Sequence, residues 1–455
     1  MRQKVYSTAI GRNPSMRNFY IVTGGTFSDI SPHFSVCARA FGTVGEQLHG
    51  HLQEAFATLD PATPTSVQVV PTRMARGSRP VDDVLRGLFN RAGIGDIVTP
   101  GDVGDLLATL VEDPDTRGII LPVAMVDFEP TELHQDGLSM GGHSTNIGLH
   151  RPRLKSGDGN VTVTFRPTEK VIRRVRETRK DIFAVGFKTT SNATPDEQYF
   201  AGLKLLKENS LNLVLANDIR RGRNMVITPE QARYHEGTDR DASIRGLAEM
   251  IALRSRGHFT RATVVPGDAV PWASDAIAPV LRAVVDHCIA RGAYKPFNGV
   301  TVGHFAARGS SPQEILTSRR KTDFNKLSET GLVRVESTGV DNVVAYGAKP
   351  SVGGMSQRMI FADHPDVDCI FHAHVPLRPG SMVPVASQRE NECGSHECGA
   401  NTSRNLRDMG DGIKAVMLDH HGPNVVFPRN IDPAKVISFI EANFDLSGRT
   451  DRVAT

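Results

Sequence analysis

The segment Asp368-Cys-Ile-Phe-His-Ala-His-Val375 carries two histidines two residues apart. In an extended chain a period of two puts Ile370, His372 and His374 on one face and Cys369, Phe371, Ala373 and Val375 on the other. Two imidazoles opposite a strictly apolar face can converge on a divalent cation. A second apolar run, 415–418, ends in Asp419-His420-His421-Gly422, so a third imidazole from that segment would complete a three-histidine site with an open position, the donor set of catalytic zinc. With 16 His in 455 residues, chance alone supplies roughly half such a pair, and His49-Gly-His51 shows the same spacing in a helix-like stretch where the two side chains diverge. The spacing therefore gains its weight from the strand and from the later imidazole. Between these segments lies Asn391-Glu-Cys-Gly-Ser-His-Glu-Cys-Gly399, with two thiols, an imidazole and two carboxylates in nine residues. Cys393, His396 and Cys398 are candidate metal ligands there, although their spacing matches no standard zinc motif.

The N-terminal half offers different chemistry. Phe19-Tyr-Ile-Val-Thr23 reads as a buried strand followed by Gly24-Gly25-Thr26, and a glycine turn after a strand lets backbone N–H groups approach a phosphate or a ribose. Residues 151–180 carry ten Lys/Arg against three Asp/Glu, a local excess of +7.

The elements that must position these residues follow from periodicity. Apolar strands are expected at 19–23, 66–70, 118–123, 182–186 and 211–216, separated by helices over 43–59, 81–90, 103–112, 197–208 and 242–256. Such alternation predicts a parallel α/β sheet. Residues 257–274 lack periodicity and carry two prolines, which predicts a linker between a domain over 1–256 and one over 275–455. The second part opens with a helix over 277–291, continues in short strands and closes with a helix over 433–443.

The length of 455 residues fits two to three domains at about 100–200 residues each. Hydrophobic residues at 39% and charged residues at 23% exclude disordered and collagen-like classes. The 53 Lys+Arg and 50 Asp+Glu leave a net charge of +3, too little for a general binder of nucleic acid or membrane surfaces. Small molecules are the expected partners. No apolar run approaches the roughly 20 residues of a membrane span, the N-terminus shows no signal-peptide core, and five cysteines make no disulfide framework, so a reducing cytoplasm is the expected location.

In chain order, VTGGT, PVAMVDF (122–128), RLKSGDG (153–159), AVGFKTT (184–190) and LVLANDI (213–219) resemble phosphopantothenoylcysteine synthetase, the CTP-dependent phosphopantothenate:cysteine ligase, over residues 17–256. The resemblance implies a Rossmann-like domain that binds CTP with Mg2+. It places Gly24, Gly25, Thr26, Asp127, Phe187, Asn217 and Asp218 at the nucleotide and Lys155 on the triphosphate. Lys188 stands where that family carries a small residue, which suits a different anionic substrate; Lys155 and Lys188 are the catalytic candidates. Ala38 occupies the position of the family's asparagine that supports the acyl-cytidylate.

Residues 275–445 resemble the class II aldolase/adducin family, through HAH after a strand, a later HG, GHFAAR (303–308), LTSRRKTDFNKL (316–327) and KPS (349–351). The implied metal ligands are His372, His374 and His421, with Zn2+ or another divalent metal, on an αβα layer around an antiparallel sheet that assembles as a homo-oligomer, dimer or tetramer. Arg319, Arg320, Lys321 and Ser351 are implied at the substrate phosphate. The family's acidic residue is replaced by Gly353, which leaves Glu392 or Glu397 as the candidate base. The expectation is a two-domain cytosolic enzyme, ligase-like in one half and a metal-dependent lyase in the other, acting on a phosphorylated or carboxylated small molecule. The alternative is a non-catalytic nucleotide-sensing or scaffold protein.

Overall fold

The computed structural model describes residues 16–135, 154, 156–339, 342–351 and 355–450. It divides into two compact units: the chain up to Ile227 together with His235–Ser255, and Thr228–Tyr234 together with the chain from Arg256.

The first unit is built on a sheet whose parallel strands run in the order Thr65–Pro71, Arg17–Gly25, Thr116–Leu121, Phe183–Thr190 and Leu213–Asp218, with Asn224–Ile227 antiparallel beside the last. Counted along the chain, the parallel strands take the order 2-1-3-4-5 of a doubly wound fold, whose switch point lies between the first and third strands. Phe19, Tyr20, Ile21 and Val22 are all buried, as a parallel strand covered on both faces requires. Helices Thr43–Leu59 and Arg240–Arg254 pack together, and Pro195–Asn209 lies against the strands Phe183–Thr190 and Leu213–Asp218. The helices Pro100–Glu112 and Pro195–Asn209 each start with a proline in the first turn and a threonine capping box, at Thr99 and Thr194, so their entry points at the strand ends are fixed.

The second unit is an αβα sandwich. Its sheet runs Arg261–Val265, Asn342–Tyr346, Val333–Ser337, Glu314–Thr317, His304–Arg308, Cys369–His372, Gly422–Phe427, Lys414–Leu418 and Val385–Ala386, antiparallel except at its two ends. Alternation divides the core. Phe305, Phe371, Val425 and Phe427 pack with helices Pro279–Ala290 and Pro433–Asn443, whereas Ala306, Ile370 and Val426 pack with Ile360, Phe361 and Cys398 of the helices Met355–Asp363 and His396–Asn405.

The stretch 257–274 is not the expected linker. It contributes the strand Arg261–Val265 and the buried Trp272, whose indole Nε1 donates to Asp286 Oδ1 at 2.8 Å. Most of that strand's side chains are exposed, so its one-sided edge position leaves no apolar alternation to read.

Candidate metal centre

The strand carrying the two spaced histidines is shorter than its sequence suggests. It runs from Cys369 to His372, and His374 lies beyond its end. His372 pairs with His304 on one side and Asn424 on the other, and the neighbouring strand begins at Gly422, so His421 enters from the adjacent turn. Gly422 has φ +142°, and a Cβ there would overlap the Ala373 carbonyl oxygen and stand 3.1 Å from His374 Cα. The glycine is thus what lets the two histidine segments close on each other.

The ring centroids of His372, His374 and His421 form a near-equilateral triangle of 5.1, 4.7 and 4.8 Å. One nitrogen from each lies within 4.8 Å of the others, and this is the only grouping of three or more His, Cys, Asp or Glu ligand atoms among the described residues. His372 is buried and shares a 2.8 Å hydrogen bond between Nδ1 and the Pro423 carbonyl oxygen; Nδ1–H is the donor, which leaves Nε2 with its lone pair. Burial lowers the His372 pKa to about 4, with the Pro423 bond working in the opposite direction. The neutral ring is the form that binds metal. His420 is turned aside in a left-handed conformation, φ +55°, with its ring 5.0 Å from that of Tyr234.

The implied phosphate segments meet at the same strand end. Ser318 N donates to Phe305 O at 3.1 Å, Ser351 N to Ser318 O at 2.8 Å, and Arg320 N to Lys349 O at 2.9 Å. The Ser351 hydroxyl reaches Gly303 O at 3.4 Å. Arg319 donates through Nη1 to Thr330 O, while Arg320 and Lys321 are exposed.

Residues 285–377 match the family described as Class II Aldolase and Adducin N-terminal domain. Among solved structures, the N-terminal half is similar to the DNA/pantothenate metabolism flavoprotein from Streptococcus pneumoniae, at 19% identity and TM-score 0.39, over 52% of this chain and 96% of that one. It is also similar to the C-terminal domain of the coenzyme A biosynthesis bifunctional protein CoaBC, at 14% identity and TM-score 0.34, over 52% and 94%. The class II aldolase-like part is similar to L-fuculose-1-phosphate aldolase from Thermus thermophilus, at 17% identity and TM-score 0.26, over 36% and 91%. No curated protein matches the chain.

The cysteine-rich segment does not assemble as a ligand set among the described residues. His396 Nε2 and the Thr260 hydroxyl lie 3.1 Å apart, and Cys398 Sγ accepts from Gln388 Nε2. Cys393 is half-buried ahead of the helix that carries the other two. Glu397 accepts from the His258 backbone N–H at 3.0 Å and pairs with its ring Nδ1 at 2.7 Å, which fastens the segment after the first unit to the helix His396–Asn405. Glu392 is buried.

In the first unit, the glycine run is not a turn. The strand continues through Gly25, and Gly24, φ +113°, has no room for a Cβ because Thr72 and Ala75 press against it. Gly25 faces the Ala38 carbonyl oxygen and Met74 Sδ. Thr26 is fully buried, its hydroxyl accepting from Val126 N at 3.0 Å and reaching Ala124 O at 3.3 Å. Asp127 is exposed in an ion pair with Lys170. Phe187 and Lys188 are neighbours on one strand and so face opposite sides; in register, Phe187 stands opposite Leu215 and Lys188 opposite Ala216. Asn217 accepts from the Thr189 hydroxyl at 3.2 Å. Asp218 is buried, and its carboxylate accepts from the Thr190 hydroxyl and from the backbone N–H groups of Asn192, Ala193, Arg220 and Arg221. Burial alone would raise its pKa, but these bonds outweigh it and hold the group well below the usual carboxylate range. Lys155 and Gly353 lie outside the described residues.

His304 is the residue that sequence reasoning passes over. It is 6% exposed, sits opposite His372 in register, and its ring centroid is 4.7 Å from that of His372 at an interplanar angle of 36°. Burial, with His372 adding to it, pushes its pKa well below the usual histidine value. The available signal is GHFAAR itself, a segment whose meaning depends on which strand lies opposite it.

Proposed function

We propose that the chain is a two-unit enzyme. The second unit acts as a zinc-dependent lyase of the class II aldolase kind on a small anionic molecule bearing phosphate or carboxylate. The first unit binds CTP with Mg2+ and carries ligase-like chemistry on a nucleotide-activated acid. The observation that carries this reading is the convergence of His372, His374 and His421, three imidazoles from two strand ends, on one point. These three residues would hold the metal, and a divalent cation there would supply Lewis-acid stabilisation of negative charge on a substrate oxygen. Around it, Pro423 fixes the tautomer of His372, and Gly422 sets the approach of His421 to the strand end. Ser351 with the Arg319–Lys321 loop would bind the anionic group, guanidinium and hydroxyl donors suiting a phosphate. Of the two carboxylates in the segment 391–399, the buried Glu392 is the one we assign as base.

In solution the protein is a homo-oligomer, dimer or tetramer, and takes neither nucleic acid nor membrane as partner. The replacement of both family side chains, at Ala38 and Gly353, favours a second reading in which one or both halves sense nucleotide or serve as scaffold without turnover.

Turnover decides between them. Zinc-loaded full-length protein is incubated with a panel of phosphorylated ketoses and carboxylated aldols, and aldehyde release is followed by coupled reduction. Release that a chelator and His372→Ala both abolish is expected. No aldehyde from any panel member, with zinc bound, contradicts the lyase. Calorimetric titration with CTP, UTP and ATP in the presence of Mg2+ tests the first unit in the same preparation; binding of none of them contradicts the nucleotide assignment.

A further inference from the structure

We propose that Gln231 seats a hydroxyl of the small molecule taken by the three-histidine centre, and so makes that site prefer a hydroxylated ligand over its deoxy counterpart. This inference rests on the metal-centre reading above. Gln231 lies outside the family match at 285–377, in the segment Thr228–Tyr234 that belongs to the second unit. It lines one small pocket together with His374, Lys295, Arg449 and Thr450. The pocket is therefore bounded by one of the three imidazoles that would hold the metal.

The turn that presents Gln231 is closed by three hydrogen bonds. Gln231 N donates to Thr228 O at 3.0 Å, Thr228 N to Ala232 O at 3.2 Å, and Ala232 N to the Thr228 hydroxyl at 3.2 Å. Thr228, Glu230, Gln231 and Ala232 are all buried, and Gln231 holds φ +69°, a left-handed conformation that a glutamine rarely adopts. A residue persists in that conformation where its surroundings over-determine it. The pocket has a volume of about 10 Å3, room for a single water-sized group. Two of the polar groups around it serve the chain itself: Lys295 Nζ donates to Gly292 O, Leu446 O and Gly448 O, and the Thr450 hydroxyl donates to His421 O. The carboxamide of Gln231 brings a donor and an acceptor together, which matches a hydroxyl that can both give and take a hydrogen bond. The ligand class is a small α-hydroxy acid or α-hydroxy ketone bearing a further hydroxyl.

The test uses full-length protein loaded with Co2+ and follows the visible absorption of the cobalt during titration. The probes are lactate and glycerate, two α-hydroxy acids that differ by one hydroxyl on the third carbon, each in both enantiomers. Gln231→Gly removes the amide while suiting φ +69°, and Gln231→Asn keeps a shortened amide on a residue that also tolerates that conformation, so both variants keep the turn. Cobalt content comes from elemental analysis. The expected result is equal cobalt in all three proteins and glycerate bound at least about fivefold tighter than lactate of the same hand by the unaltered chain. That preference should fall below about twofold in Gln231→Gly and be kept in part in Gln231→Asn. A preference that Gln231→Gly retains overturns the inference, as does a cobalt-loaded unaltered chain that binds neither acid or binds both alike. Loss of cobalt in both variants overturns it too, because Gln231 would then support the centre and not the ligand. An unaltered chain that takes up no cobalt overturns the metal-centre reading and this inference with it.

Discussion

The two units differ in what their strand ends bring together. At the switch point of the first unit, the Thr26 hydroxyl is engaged by Ala124 and Val126, and the space beside Gly24 and Gly25 is filled by Thr72, Ala75, Ala38 and Met74. Asp218, at the end of the strand Leu213–Asp218, is engaged by five donors, from Thr190 of the adjacent strand and from the loops at 192–193 and 220–221. In the second unit, three imidazoles converge, and His304 Nδ1 and Ser318 Oγ are buried with no partner. A carboxylate saturated by nearby donors organises its loops, whereas three imidazoles brought to one point form the donor set of a metal ion.

The largest expected effects come from two glycines with the same steric problem and different neighbours. Gly422→Ala pushes a Cβ into the Ala373 carbonyl and toward His374, so bound zinc should fall below about a tenth of the unaltered amount, with a stability loss of about 1–3 kcal/mol from overpacking. Gly25→Ala forces the Ala38 carbonyl away and should cost a similar amount in thermal unfolding, with zinc content unchanged. Equal zinc loss in both variants would erase the distinction between the units.

A smaller effect is expected at Asp218. Its pKa is depressed in the folded state, so its contribution is present above the ordinary carboxylate range of about 4 and is lost as pH falls through the folded value. Asp218→Asn should speed hydrogen exchange at Asn192, Ala193, Arg220 and Arg221 at neutral pH and flatten the acid limb of the stability curve. Unaltered exchange there would contradict the organising role.

The smallest effect belongs to Glu397. Burial acts to raise its pKa, but the hydrogen bonds from His258 prevail and lower it, so its stabilisation is present above about pH 4.5 and declines as the solution is acidified. The pair is largely exposed, which limits the change on Glu397→Gln to below about 1 kcal/mol at neutral pH and makes it sensitive to salt. Zinc content should not move. Zinc loss in this variant would return Glu397 to the candidate ligands or bases.

Much of this architecture is legible in the sequence. The doubly wound sheet follows from apolar runs alternating with amphipathic helices, and the helices over 43–59 and 433–443 stand at their expected limits, the second because Asp432 caps it and Pro433 opens it. The His372–His374 convergence is also readable, although for a partly wrong reason, since the strand stops at His372 and Gly422 draws the chain together. The edge strand Arg261–Val265 escapes because its side chains are mostly exposed. His304 escapes because its meaning depends on a strand 68 residues later, and antiparallel register is a non-local property. The surroundings of Gly24, Gly25 and Asp218 are hidden for the same reason: Thr72, Ala75 and the loop at 190–193 approach them only in the folded chain.

The most direct measurement is elemental analysis of the purified full-length protein and of its His372→Ala, His421→Ala and His420→Ala variants after equilibration with Zn2+. One zinc per chain is expected in the unaltered protein and in His420→Ala, with near-complete loss in the other two. Near-stoichiometric zinc in His372→Ala or His421→Ala, or equal loss in His420→Ala, would contradict a centre built from His372, His374 and His421.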